Sequence, residues 1–415
     1  MTTPRLERRT VTRIFSRLRT AAGQADPLPL YESLRSGGSA IPAPWGGVLV
    51  TSFRLCSQVL ADSSWGVPTA DWRARQPNPR WRSDSSRDMG HMLPMLDPPR
   101  HTAVRRSVAP MFNRSTLQGM TASIEQTATE LVDAFLDAAH RGTADYVSMV
   151  SDELPIRTIG AWLELDAGDY GRLRELTHIQ SSTQELFPSP SRLADADTAT
   201  RELRDYFWRL VLDRRENPGT DPVSTWLATW DQAAGDQDAS NATVHALAFF
   251  VLLASMETTT HLLSSTMRLL LEHPEHFELL RAHPDAIPGM VEETLRYDPP
   301  IHMISRIAPG DVELGGVPVR RGEMVQLMIG AAHHDETEYP DPGRFDPGRK
   351  TNTLSFGRGI HHCLGASLAR LEARAVLSAL AGRVRATGFQ HSAVWAPRVV
   401  LRRLASLQVT AAHTS

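Results

Sequence analysis

Lysine is all but missing from this chain. Of 44 basic residues among 415, Lys350 alone is not arginine, which reads as a genomic composition bias rather than a functional signal. The formal net charge of −3 gives no electrostatic case for nucleic acid or an anionic membrane as partner. Cysteine is scarce too. Cys56 and Cys363 allow one disulfide at most, so no disulfide framework is expected and nothing points to an oxidising compartment. Long apolar runs are absent. The longest, about Ala246 to Met256, falls short of the roughly 20 residues a bilayer span needs, and it reads as a buried core helix. The arginine-rich start, Met1 to Thr20, lacks the apolar region of a secretory signal. There is no internal repeat, low-complexity linker, dinucleotide fingerprint or P-loop. These absences favour a cytoplasmic protein without membrane or nucleic-acid partners.

What is present is ordinary globular composition, 41% hydrophobic and 22% charged, enough to bury a sizeable core. Proline and glycine clusters mark loops at about Ser63 to Gly90, Glu216 to Pro222 and Gly235 to Asn241. The first holds Trp65, Trp72 and Trp81. The last offers Ser240 and Asn241 as N-caps to the following helix. Between the loops, amphipathic helices are expected over Ser115 to His140, Thr198 to Arg215, Ala242 to Glu272, Pro284 to Tyr297 and Gly365 to Ala381. Strand signals are few: Val48 to Thr51, a hairpin of Val312 to Leu314 with Val317 to Val319 across Gly315-Gly316, and the tail near Val399 to Leu401. The fold class is mainly α with small β-sheets. Cys56 lies in a helix-like stretch and reads as a small packed hydrophobe.

The most informative stretch is Phe356-Gly357-Arg358-Gly359-Ile360-His361-His362-Cys363-Leu364-Gly365. Two glycines two apart permit a tight irregular backbone. The cysteine then comes just before a helix start, whose N–H groups and dipole stabilise a thiolate. Gly365 lets the backbone pass close to a large flat ligand. Thiolate ligation of haem iron is one use of such a loop. The alternatives are an incidental cysteine beside two histidines, or a zinc site, although zinc usually takes four ligands and no CxxC pair is present.

The stretch resembles the cysteine-ligand loop of the cytochrome P-450 superfamily, Phe-Gly-x-Gly-x-His-x-Cys-x-Gly, with every defining position filled. Glu293-Thr294-Leu295-Arg296 is similar to the family's Glu-x-x-Arg helix. Three residues apart on a helix, Glu293 and Arg296 share a face, the plain alternative being a solvated surface pair. The resemblance adds Arg344 and Phe345 to that network. It also implies that His101, Arg105, Arg306 and His361 reach the haem propionates, for which Arg and His donors are suited.

Ala242 to Glu272 resembles the long helix over the distal haem face. There Glu257 and Thr258 fill the acid–alcohol pair that delivers protons to dioxygen under reduction. The plain alternative is a structural Glu257 and a Thr258 bonded back to its own helix. Ser255 stands where the family usually has glycine, and a side chain there is expected to crowd or hydrogen-bond the oxygen groove. Met256 also departs from the common residue and reads as core. Arg403 stands where glycine is frequent in the final sheet.

The resemblance covers nearly the whole chain and implies one triangular catalytic domain, 1–415, acting as a monomer. It implies haem b (iron protoporphyrin IX) on Cys363, with Ala254, Phe356, Gly357 and Gly365 beside it. Dioxygen would be the oxidant. Electrons would come from NAD(P)H through an external ferredoxin and ferredoxin reductase, since no fused reductase is seen. Docking of that partner is expected on Arg105, Arg106, Arg349, Lys350, Arg358 and Arg370. The pocket would draw on the Trp65 to Met92 loop, the His178 to Phe187 region, Phe250, Ala254, Ser255, His302, Met303, Ile304, Val399 and Val400. A small to medium organic substrate and a tailoring step of secondary metabolism follow by analogy. Hydroxylation or a related monooxygenation is the leading outcome. Oxidative C–C or C–N coupling of aromatic rings, peroxide-driven turnover, and a haem sensor or carrier are the alternatives.

Overall fold

A computed structural model describes residues 6–384 and 388–411, so the first five residues of the arginine-rich N-terminal segment lie outside the described residues. The architecture is mainly helical with three small sheets. The chain divides into two compact units. The first comprises Met1–Gly66, Glu125–Glu153 and Thr258–Ser415, and the second Val67–Ile124 and Leu154–Glu257.

Among the described residues, the strands all fall in the first unit. One sheet is ordered β1 (Ala40–Pro42), β2 (Val48–Val50), β7 (Met324–Met328) and β4 (Met303–Ile307). β2 runs parallel to β7 and the other pairs are antiparallel. Its apolar face packs with the helix Phe53–Ala61 in a core that includes Val50, Phe53, Val325 and Leu327. Cys56 sits in that core as a small hydrophobe, its thiol donating to the Val50 carbonyl at 3.4 Å. β5 (Val312–Leu314) and β6 (Val317–Val319) form the expected hairpin, with Gly315 and Gly316 at φ +54° and +80°, as a type I′ turn demands. The third sheet is β3 (Thr143–Asp145), β9 (Leu404–Ala411) and β8 (Phe389–Trp395). The tail strand therefore starts after Val399 to Leu401. That segment follows Pro397, which has no N–H to give a ladder, and only Leu401 forms an isolated bridge, to Ile301.

Glu293 and Arg296, on the helix Ile287–Tyr297, form a fully buried two-pronged ion pair, with Nε to Oε2 at 2.8 Å and Nη2 to Oε1 at 2.7 Å. The surface-pair reading is thus excluded. Arg344 enters the network through its carbonyl, which accepts from Arg296 Nη2 at 3.2 Å. Its own side chain is exposed and pairs with Asp346. The second guanidinium on Glu293 comes from Arg349, at 3.4 Å. Phe345 is buried against the rings of His273, His276 and Tyr297.

In the second unit the helix Pro190–Glu216 packs against Tyr170–Gln180 and Pro222–Ala234. Asp221 caps the last of these, accepting from Val223 N at 2.9 Å and Ser224 N at 3.2 Å, with Pro222 at the first helical position. Trp226 is fully buried beside Trp162. The segment read as one loop, Ser63 to Gly90, contains the helices Ala70–Ala74 and Asp84–Met89 and the turn Pro79–Arg82. Thr69, Asn78 and Ser83 cap them through their side chains, so the residues that look like loop formers start short helices.

The longest helix runs Gln237–Glu272 and starts earlier than expected. Asp236 accepts from Asp238 N at 3.2 Å, while the side chains of Ser240 and Asn241 are taken by Arg215. By length and composition alone this helix is sufficient to cross a membrane, which corrects the count made on its apolar centre. Its most apolar window is 61% buried within the protein, the mark of a core helix.

Glu293→Gln leaves Arg296 buried without its countercharge. Unfolding stability should fall by ~3–5 kcal/mol in urea titrations followed by circular dichroism. Breaking the exposed pair with Arg172→Ala should leave the midpoint unchanged. Equal small effects of both would mean that the buried pair does not hold the unit together.

Candidate active site

The cysteine loop lies in the first unit and is closed by its own backbone. Gly357 N donates to Leu354 O at 2.8 Å, His362 N to Gly359 O at 3.1 Å, and Cys363 N to Phe356 O at 2.9 Å. Gly357 and Gly359 both sit at φ +67°, where a side chain is strained. At Gly359 space forbids one as well, since a Cβ would meet the carbonyl oxygens of Leu60 and Ala61 at 2.7 and 3.0 Å. The loop thereby presents the thiol of Cys363, which is exposed, just ahead of the helix Ala366–Arg383. The positive end of that helix favours an anionic sulfur. A Cβ on Gly365 would lie 3.9 Å from Cys363 Sγ, so glycine keeps one flank of the sulfur clear. Cys56 is the opposite case. Burial pushes its thiol far up, so it stays protonated.

Phe356 is half-buried, with the Arg370 guanidinium 4.3 Å from its ring centre. Arg370 is also held by both oxygens of Glu292. Of the surface arginines expected to receive a partner protein, Arg349 and Arg370 are thus engaged with Glu293 and Glu292. Arg358 bonds Asn352 at 2.5 Å, and Lys350 is exposed.

On the same unit, β4 carries Arg306, buried, with Nη1 donating to Ser305 O at 3.0 Å. His361 is half-buried in the turn Gly359–His361. His302, expected to line the pocket, instead turns into the unit. Its Nδ1 meets the Tyr31 hydroxyl, and its Nε2 faces Asp298 at 3.7 Å. Burial pushes its pKa down to about 4, so the ring is neutral at pH 7 and its polar atoms face inward rather than toward a guest. Met303 is buried, and Ile304 packs half-buried on the β-sheet core. Val399 is buried and Val400 half-buried, the latter's carbonyl accepting from His302 N at 2.8 Å.

In the second unit, His101 and Arg105 lie one turn apart on the helix Arg100–Val108. His101 is buried, and burial, then the charge of Arg105, lowers its pKa. The part of the helix Gln237–Glu272 that belongs to this unit ends at Glu257. The long helix is buried on most sides, but Ala246, Phe250, Ala254 and Thr258, spaced by four, form a stripe of partial or full exposure at its centre. Ser255 does not stand free in a groove. Its hydroxyl donates to Val251 O at 2.7 Å, the back-bond of a helical serine. Met256 is fully buried, as core.

Glu257 is 4% exposed, and its Oε1 lies 2.5 Å from Nδ1 of His178, whose side chain is 18% exposed. A buried carboxylate thus reaches a more accessible imidazole, with Thr258 next to it in the chain. The sequence put His178 only in a pocket region. No local pattern relates two residues 79 positions apart.

These donors fit a haem. A single exposed thiol heads a helix with one flank clear, and buried Arg and His side chains suit propionates. A zinc site does not fit, because among the described residues no group of three His, Cys, Asp or Glu could hold a metal ion.

Comparison with known proteins agrees. The family model described as Cytochrome P450 matches residues 287–383. Cytochrome P450 monooxygenase PikC of Streptomyces venezuelae is 34% identical, covering 93% of this chain and 91% of that protein. The 6-deoxyerythronolide B hydroxylase of Saccharopolyspora erythraea is 36% identical, covering 75% and 76%. Among solved structures, P450BioI in complex with a hexadec-9Z-enoic acid-ligated acyl carrier protein superposes with a TM-score of 0.85 at 27% identity, covering 94% of this chain and 99% of that one. With the cysteine loop complete and the likeness running almost end to end, the chain belongs to the cytochrome P450 family of monooxygenases, whose chemistry uses haem iron and dioxygen.

Proposed function

We propose that this enzyme inserts one oxygen atom into a small to medium organic molecule in a tailoring step of secondary metabolism. Two observations carry this reading: an exposed Cys363 thiol on a loop closed by its own hydrogen bonds, and a buried Glu257 that contacts His178. The names of the two relatives, a monooxygenase and a hydroxylase, support oxygenation as the outcome. Haem b would be held by Cys363, with Phe356, Gly357 and Gly365 shaping the sulfur side. By the family resemblance, His101, Arg105, Arg306 and His361 are the residues proposed for its propionates. When bound, the haem supplies activation of dioxygen. Electrons would come from NAD(P)H through a ferredoxin reductase and a ferredoxin, Arg358 and Lys350 offering the available positive charge near the loop. The chain would act as a single catalytic domain, 1–415, a cytoplasmic monomer.

The chain's own work is to hold substrate and move protons. Phe250 and Ala254, on the partly exposed stripe of the long helix, would present apolar surface to the guest. His178 hands a proton to Glu257 and Glu257 passes it toward the Thr258 hydroxyl, an O–H that both donates and accepts. A sensor or carrier needs no such relay. Coupling of aromatic rings gains no support from the tryptophan-rich segment, where Trp72 and Trp81 pack edge to face on each other. Product mass distinguishes the two, one oxygen gained against hydrogen lost with joining of rings.

Two measurements test this reading. The reduced, carbon-monoxide-treated protein should show the red-shifted Soret band of thiolate ligation, and Cys363→Ser should abolish it. A histidine-type band in the native protein sinks the proposal. Glu257→Gln and His178→Phe should keep that band and substrate affinity, yet lower product formation by about 10²-fold, with hydrogen peroxide released instead. Unchanged coupling of electrons to product in both variants would remove the relay.

A further inference from the structure

Arg73, in the second unit, is 4% exposed and forms no ion pair among the described residues. Its Nε donates to Pro68 O at 2.7 Å, and its Nη1 to the carbonyl and hydroxyl of Ser86 at 3.2 and 2.9 Å. Neutral acceptors compensate a buried guanidinium poorly. A second arginine aggravates the imbalance. Arg73 and Arg80 lie over the same Trp81 ring, 5.1 and 4.5 Å from its centre. Burial pushes both guanidiniums down to about 10, with Arg80 repelling Arg73 and Glu185 partly offsetting the charge of Arg80.

Arg80 keeps its better edge open. Nη1 is bonded to the Leu186 carbonyl, so Nε and Nη2 are left without a protein acceptor among the described residues. That is the edge with which Arg296 grips Glu293 in this same chain. Such an edge matches the two oxygens of a carboxylate. Near Leu186 in the chain, Gln180 and Thr183 are buried with both amide atoms and the hydroxyl unpartnered among the described residues.

We propose that Arg80, backed by Arg73, binds the carboxylate of the substrate, so that the molecule oxidised is an organic acid. The proposal rests on the oxygenase reading above for its meaning as a substrate site, but not for the binding itself. The side-on fork of Arg80 takes the two oxygens, the remaining Nη2 of Arg73 adds positive charge, and Trp81 covers the adjoining apolar part of the guest. A neutral ester or amide of the same acid cannot fill the side-on edge of Arg80 with two anionic oxygens and binds less well.

The test is calorimetric titration of the holoenzyme with dodecanoate and with indole-3-propionate, each against its methyl ester, and with inorganic phosphate. At least one acid should bind about ten-fold or more tightly than its ester. Arg80→Gln should erase that preference and Arg80→Lys retain part of it. Since Arg73 also ties Pro68 to Ser86, its variant could lose the local fold, so Arg80, with one protein bond, carries the test. Equal affinity of acid and ester, no binding of either acid, or a preference that survives Arg80→Gln overturns the proposal. Phosphate displacing the acid with equal affinity overturns its assignment to substrate. Acid preference in a protein that lacks the thiolate carbon-monoxide band would sink the oxygenase reading while leaving the anion site standing.

Discussion

Arg296 has no solvent exposure and five hydrogen bonds, two to Glu293 and one each to the carbonyls of His333, Pro342 and Arg344. A guanidinium so placed must have its partners in fixed positions, because each missing bond would leave a buried charge unsatisfied. The segment between residues 333 and 349 has little regular structure of its own. Its path is set by what Arg296 and Glu293 require. Glu293 accepts from Asp346 N at 3.0 Å, and the chain then reaches Leu354, whose N–H donates to His333 Nε2 at 2.8 Å. Ser355 Oγ bonds Leu295 O at 2.6 Å. The next residues are the cysteine loop. The position of the thiol therefore depends on an ion pair that it does not touch.

The same logic explains what could be read in the sequence. The cysteine loop is legible because each of its positions answers a local demand, such as the positive φ and the crowding carbonyl of Leu60 at Gly359. The Glu293–Arg296 pair is legible as a pair, from helical spacing, but its depth is not. Burial depends on residues 37 to 56 positions away, and nothing near Glu293 indicates that the guanidinium would come from Arg349 and only a carbonyl from Arg344.

Elsewhere the reading failed for identifiable reasons. Thr69, Asn78 and Ser83 are residues that loops favour, and here each caps a short helix or turn. His302 lies just ahead of β4, in a segment of the right apolar character for a pocket wall, yet its ring is taken by the Tyr31 hydroxyl within the unit. The inward face here holds Asp298, Tyr31 and Arg402. Glu257 was legible as an acid. Its partner was not, since His178 arrives from a separate helix.

Buried arginines sharpen this contrast between structural and functional charge. Arg402 lies on Asp298 at 2.7 Å, Arg268 on the same carboxylate at 3.0 Å, and Arg403 on Asp152 at 3.1 Å. Burial alone would raise the Asp298 carboxyl, but the adjacent Arg402 and His261 hold it well below the usual carboxylate range. A carboxylate held that low is ionised wherever the protein is folded near neutral pH, and the arginines around it are permanently matched. Arg73 has no such partner within the described residues and shares its surroundings with another cation. A fold that neutralises its buried guanidiniums with its own acids, and then leaves Arg73 without one and Arg80 with only Glu185 nearby, has kept that charge for something other than packing. The acid able to complete the set must come from outside the chain, and the open edge of Arg80 determines that it arrives with two oxygens in one plane.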